Sequence, residues 1–264
     1  MMIDLFGNLH SRYFILKDLT QSEYFDNMAY LAKSAFVYDT SKNIMHDSTI
    51  LFQKANMTIE STITKKDSLF EFAFTLKQRR IPDSIYYAED LLQFDSQEFL
   101  SSYFGKKNVR NDLYYFSEKE LQKCSVLFPG TDYQADFVRK NESTQNDLSY
   151  IIVSNVIPTV GGEKTGVPDG NNAWKFKSGI QVGMSVKDVL NLNEMNFYIY
   201  GNKSELSFMA KPEKGGKINF KKTAIMFNCL NCFDNQMFNQ DEVSALETAK
   251  AYMQLHIFDI VIYP

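Results

Sequence analysis

The stretch "KSGIQVGMSVKDVLNLN", residues 177–193, decides how the chain is read. Gly179 and Gly183 supply the backbone freedom for a turn into Met184, and Ser185 stands where a helix N-cap belongs. Asp188, three residues on, completes a pattern like a capping box, and Val186, Val189 and Leu190 repeat at the spacing of one buried helical face. The stretch therefore predicts a turn and a short helix rather than a ligand-binding loop.

Working outward, the same instruction occurs once before. Asp95-Ser-Gln-Glu-Phe-Leu100 aligns with Ser185-Val-Lys-Asp-Val-Leu190 as cap, two residues, carboxylate, apolar residue and leucine. In the earlier copy Asp95 is the expected cap and Glu98 the first-turn carboxylate. Phe99, Leu100, Tyr103 and Phe104 form the apolar face, and Gly105 ends the helix.

Strand-like runs follow both helices. After the first come 111–117, 124–130, 133–140 and "LSYIIVSNVI" (148–157); after the second come 196–201, 205–210, 218–228 and "LHIFDIVIYP" (255–264). A further helix is expected over 241–253. Between the copies, residues 158–173 hold four Gly and two Pro and read as a linker. The expectation is a divergent duplication of a helix on an antiparallel sheet, at 81–157 and 174–264.

Residues 1–80 form a separate expected domain. Thr20-Gln-Ser-Glu23 opens a helix over 20–36, and three strands follow at 48–54, 56–64 and 68–77. In the last of these, Phe70, Phe72, Phe74 and Leu76 alternate with Glu71, Ala73, Thr75 and Lys77, with Lys65-Lys66-Asp67 as the turn before it. The fold class is therefore α+β: an N-terminal helix with a β-meander, then the duplicated module. The 22 Phe and 15 Tyr against one Trp point the same way, because aromatic residues favour strands.

The segment around Gly179, Gly183, Met184, Ser185, Val189 and Leu190 resembles the opening signature of SmpA/BamE-like small lipoproteins and of repeats like those of β-lactamase-inhibitor proteins. Asn193 and Phe197–Gly201 also fit small exported envelope proteins, whereas Glu194-Met195 stands where a Gly-Lys pair is expected. The resemblance implies a helix packed on a small sheet, tandem copies forming a protein-binding surface, and a periplasmic or cell-envelope location. It does not extend to residues 1–80.

Chemistry is less legible. Cys229-Leu-Asn-Cys232 follows a strand rather than opening a helix, and only Cys124, His10, His46 and His256 could join it as further thiol or imidazole ligands. The readings are, in order, structural or incidental thiols, a local disulfide, half of a metal site, or a redox dithiol. No H-E-x-x-H, G-x-S-x-G or Walker-type motif occurs, and "GGEKTG" (161–166) lacks phosphate-loop spacing. No catalytic, cofactor-binding or metal residue is named. Tyr86-Tyr87, Tyr114-Tyr115-Phe116 and Tyr198-Ile-Tyr200 read first as core and second as an interface. Trp174 reads as an anchor for the linker.

The net charge of −4, with basic pairs scattered singly, argues against a nucleic-acid surface. No run of about 18 apolar residues is present to span a membrane. "MMIDLFGNLHSRYFIL" carries Asp4, His10 and Arg12 where a signal peptide needs an apolar core. The chain is thus either cytoplasmic or missing a targeting segment, and the resemblance favours the second. The expected role is non-enzymatic binding of another protein, or a ligand, through the sheet. The alternatives are an inhibitor or immunity-type protein that blocks an enzyme, and a thiol redox protein using Cys229 and Cys232.

Overall fold

The computed structural model describes residues 2–3, 9–19, 23, 26, 37–39, 47–67, 69–117, 120–155, 159–160, 163–164, 172–212, 215–229, 231–232 and 236–264. The fold is α+β, built from antiparallel strand pairs with short helices between them.

The first sheet has six strands: β1 (Met2–Ile3), β2 (Leu9–Leu19), β3 (Val37–Asp39), β4 (Asp47–Lys54), β5 (Met57–Lys66) and β6 (Leu69–Gln78), in the order β1-β2-β6-β5-β4-β3. The eleven-residue strand β2 begins within the amino-terminal stretch and pairs with β6 from Leu9↔Gln78 to Leu19↔Phe70. The helix expected over 20–36 falls outside the described residues, apart from Glu23 and Asp26, which are helical. The turn expected at Lys65-Lys66-Asp67 lies further on. Lys65 and Lys66 remain in β5, paired with Phe70 and Leu69, and Asp67 takes the left-handed conformation (φ 54°) that closes a two-residue hairpin.

A 3-10 turn, Ala88–Gln93, leads to helix α1 (Gln97–Phe104). Its cap is Ser96, whose hydroxyl accepts from the Phe99 N–H at 3.1 Å, and not Asp95 as the sequence suggested. Asp95 is turned to Arg79 instead, 2.8 Å from Nε, and the one-residue shift leaves Phe99 and Leu100 buried. Gly105 ends the helix at φ 89°. Ser96→Ala is expected to lower stability by about 1 kcal/mol. Asp95→Ala, which breaks a half-exposed ion pair, should cost well under that. Urea midpoints of the two variants check this, and a costlier Asp95→Ala would return the cap to Asp95.

The second sheet begins with β7 (Val109–Ser117), β8 (Glu120–Leu127), β9 (Ala135–Asn141) and β10 (Asn146–Ser154). Two-residue strands β11 (Thr159–Val160) and β12 (Glu163–Lys164) form a hairpin within the expected linker. Next come helix α2 (Val186–Asn193), β13 (Tyr198–Tyr200), β14 (Thr223–Cys229), β15 (Glu242–Ser244), helix α3 (Ala245–Lys250) and β16 (Leu255–Ile262). The large sheet runs β14-β16-β10-β9-β8-β7, and β13 pairs with β15 apart from it.

Three expectations fail in this region. Of the run 218–228 only Thr223 onward is strand, because residues 218–222 turn, with the Lys222 N–H donating to the Asn219 carbonyl at 3.0 Å. Residues 205–210 form turns, with bridges only at Met209 and Ala210, because Ser204 Oγ and the Ser204 carbonyl close the chain on itself through Leu206 and Ser207. Residues 241–253 are not one helix. Glu242–Ser244 pairs as a strand with Tyr198–Tyr200, and only Ala245–Lys250, capped by Ser244, is helical. The strand pairing captured the first turn of the helical pattern.

The chain divides into two compact units that interleave in sequence. One comprises Met1–Asp83, Gln93–Lys107 and Lys140–Asp147, and the other Ser84–Leu92, Asn108–Arg139 and Leu148–Pro264. The boundary therefore does not fall at residue 80. Helix α1 belongs with the first sheet, where it packs against β4. Phe94 at its foot touches the rings of Phe99, Tyr103 and Phe104 at 4.9, 5.1 and 5.2 Å. In the second unit, α2 packs against α3 and β16. Ile225 and Phe227 of β14, Ile151 and Val153 of β10, and Ile257 and Ile260 of β16 are buried on one sheet face. Phe227 stacks on Phe197 at 6.2 Å, so the β13–β15 pair covers that face.

Candidate functional site

The residues of 177–193 act in the structure as packing and pairing elements. Gly179 and Gly183 both have positive φ, 85° and 88°. The Gly183 N–H donates to the Ile257 carbonyl and the Ile257 N–H to the Met184 carbonyl, each at 2.8 Å, so the turn extends the sheet beside β16. Ser185 accepts from the Asp188 N–H at 3.2 Å, and its hydroxyl lies 2.6 Å from the Asp188 carboxylate. Val186 and Val189 are buried and Leu190 is half-buried. Glu194, where the resemblance leads one to expect glycine, adopts the left-handed conformation at φ 58° that glycine favours.

Asn193 carries a role that spacing did not suggest. Its side chain is buried, donates to the Met195 carbonyl at 2.8 Å and accepts from the Ile218 N–H at 3.0 Å, fastening the end of α2 to a distant loop. Of the earlier copy, Glu98 occupies the first turn of α1, where a carboxylate suits the helix dipole. Its cap residue Ser96 bridges Asn146 at the start of β10, as Ser185 bridges His256 near the start of β16.

The reverse face of the second sheet gathers residues of another kind, and strand register places them in rows. In one row Tyr114 lies opposite Gln122, whose Oε1 accepts from the Tyr150 hydroxyl at 3.1 Å, and the Tyr150 ring meets Tyr263 at 6.0 Å. In the next, Asp112 is opposite Cys124 and Cys124 opposite Val138, while Ile152 and Ala224 both flank Val261. In a third, Val126 pairs with Arg110 and Asp136, while Asp259 pairs with Ser154 and Met226. Cys124, Val126, Val138 and Ile152 form a buried cluster with Tyr114, Tyr150 and Val261 packed half-exposed against it. Tyr263 and Met226 are each 38% exposed.

The electrostatics of this face follow from burial. Asp136 and Asp259 are only 8% and 7% exposed. Desolvation is the largest cause that pushes each carboxyl up to about 6. For Asp136, the Gln134 amide opposes the shift, while the charges of Asp112 and Asp259 add to it. For Asp259, the Ser154 hydroxyl opposes it. One oxygen of Asp259, Oδ1, has no hydrogen-bond partner among the described residues. Burial, then Asp136 and Asp112, push the Cys124 thiol up to about 12, which leaves it a packing group at neutral pH. Burial likewise raises Tyr114, with help from Asp259 and Asp136.

Cys229 and Cys232 are joined as a disulfide, so the reading as incidental free thiols is corrected. Cys229 ends β14 facing inward and Cys232 folds back beneath it, both buried, while Asn231 between them accepts from the Gln254 N–H at 2.8 Å. The bond staples the strand to its following loop. Trp174 is 5% exposed, donates from Nε1 to the Tyr133 carbonyl at 2.8 Å and meets the Tyr133 ring edge-on, an anchor at the end of the expected linker. Of the sequence-singled aromatics, Tyr86 and Tyr87 are exposed, Ile199 is buried, and the Tyr115 and Phe116 side chains lie outside the described residues. "GGEKTG" is described only at Glu163 and Lys164, in β12.

Among the described residues, no three His, Cys, Asp or Glu side chains stand together as a metal cage. Among the same residues, no helix is long and apolar enough to cross a membrane. No family model, curated protein or solved structure matches the chain.

Proposed function

We propose that this chain is a non-enzymatic, extracytoplasmic protein of the bacterial cell envelope that binds another protein through the reverse face of its second sheet. The tyrosine row carries the reading. Tyr114 of β7, Tyr150 of β10 and Tyr263, just past the end of β16, lie in one row, with Gln122 opposite Tyr114 and bonded to Tyr150, and all three tyrosines are partly exposed. Tyrosines so placed present large, rigid, amphipathic area at little entropic cost, as interface anchors do. Asp112 at the rim is paired with Arg110 at 2.6 Å, and Asp136 and Asp259 are buried, so the tyrosines rather than charge carry the binding.

The disulfide supports an oxidising compartment, since such bonds persist outside the cytoplasm and are rare within it. The two cap serines each bridge the start of a strand, and those strands pair antiparallel from Ile151↔Ile262 to Ser154↔Asp259. Equating Ser96 with Ser185 moves the Asp95–Leu100 alignment by one residue, and α1 packs against β4 of the first sheet, so tandem duplication is no part of this proposal.

Tyr114→Ala and Tyr150→Ala, separately and together, test the face. Envelope-fraction proteins cross-linked to the wild type should be lost from the double variant, with affinity falling about a hundredfold for two anchors, while circular dichroism stays native. A partner held equally by the double variant removes the face from the proposal. A turnover abolished by one substitution elsewhere removes the non-enzymatic part.

A further inference from the structure

We infer that a cleft between β14, the end of β16 and the Lys177–Ser178 turn binds an anionic amphiphile, a phosphate or carboxylate head on an apolar tail. The cleft has a volume of about 450 Å³, a size that accepts a small organic ligand. Lys177, Lys217 and Lys222 stand exposed around it, and Glu89 is the one lining side chain that carries a carboxylate. Glu89 is already committed, accepting from the Lys177 backbone N–H at 3.0 and 3.2 Å. The lining charge is therefore three ammonium groups facing one satisfied acid.

Each ammonium is parked on a group outside or at the edge of the cleft. Lys177 lies 3.0 Å from Asp90, Lys217 lies 2.6 Å from Glu194, and Lys222 donates to the Pro264 carbonyl. Lys177 and Lys217 are 58% and 64% exposed, and ion pairs so solvated hold their partners weakly. A lysine stem has the reach to swing its ammonium from such a pair onto an incoming anion. Asp90 has other supports for its charge besides Lys177. Although burial works against it, the N–H groups of Tyr87 and Tyr86 at 2.9 and 3.1 Å, together with the Lys177 ammonium, hold its carboxyl below the usual range.

The floor differs from the rim. Leu92 and Tyr263 line it, with Ile262 largely buried there, and the Tyr263 ring leads on to Tyr150. An inorganic anion would leave that apolar surface wet, whereas a tail would cover it. Head and tail together match both halves of the cleft. This site and the protein-binding face share Tyr263 but fail separately, because the lysines take no part in the tyrosine row.

Calorimetric titration of the full chain with dodecyl phosphate, below its micellar concentration, tests the inference. Saturable one-to-one binding is expected, tighter than for inorganic phosphate, with no binding of dodecyltrimethylammonium. Lys217→Ala and Lys222→Ala should each weaken dodecyl phosphate by about tenfold, while Lys221→Ala, outside the lining, leaves it unchanged. Should either cleft variant fail to fold, the wild-type affinity must still fall as sodium chloride is raised. Equal binding of the cationic amphiphile, equal affinity for inorganic phosphate, unweakened lysine variants, or no binding at all would each overturn it.

Discussion

Gly201→Ala is expected to destabilise the second unit by about 3 kcal/mol or more. A methyl group there would stand 2.8 Å from the Phe238 carbonyl oxygen and closer still to that of Gln240. Both atoms are backbone, so no side chain can turn aside. The Gly201 N–H also donates to the Asp241 carbonyl at 2.9 Å, and the Asn202 N–H to that of Phe238 at 2.7 Å, which locks the two segments at this approach. Gly130→Ala is the comparison. It has the positive φ of 76° but nothing within 4 Å, so only backbone strain of about 1 kcal/mol is at stake. Thermal melts should show a drop of roughly 6–12 °C for Gly201→Ala and about a third of that for Gly130→Ala. Equal drops would mean that the close approach is not what excludes a side chain.

A second large effect comes from the two buried acids. Asp136 and Asp259 are pushed up to about 6 in the folded chain, above the value of a solvated aspartate. The folded state therefore holds their protons more tightly than the unfolded state. The associated stability is fully present below the unfolded value, near 4, and is lost as pH rises through about 6. Near pH 7.5 each ionised carboxylate costs up to about 3 kcal/mol, and the repulsion from Asp259 is already part of the Asp136 shift. Asp259→Asn, which removes the ionisation and keeps the shape, should raise the melting temperature near pH 7.5 and lose that advantage near pH 4. A variant whose advantage is the same at both values would show that burial does not set these carboxyls. A partner whose cation neutralised the pair would show tighter binding to the wild type above about pH 6.

The two helix signals at 95–105 and 177–193 were legible because capping and helical spacing are local, fixed by residues three and four apart. Even there the cap is Ser96, one residue past the expected Asp95, and Asp95 is held instead by Arg79, sixteen residues earlier. The strand runs between 48 and 154 were legible from aromatic and β-branched density, while β2 was hidden because Asp18, Arg12 and Lys17 interrupt its apolar run. Residues 242–244 carried helical spacing but were taken by the free edge of Tyr198–Tyr200, a partner no local window contains.

By itself, then, the sequence determined the α+β class, the short helices with their glycine turns and serine caps, and the absence of a familiar catalytic motif. Each follows from interactions within a few residues. Only the tertiary structure decided that Tyr114, Tyr150 and Tyr263 share a row, that Asp136 and Asp259 are buried together, and that Lys177 meets Lys217 and Lys222 around one cleft. Apart from Lys217 and Lys222, five residues apart, those residues stand tens of positions apart along the chain. They meet through strand register and turn geometry, where a shift of one residue would send every side chain to the other face.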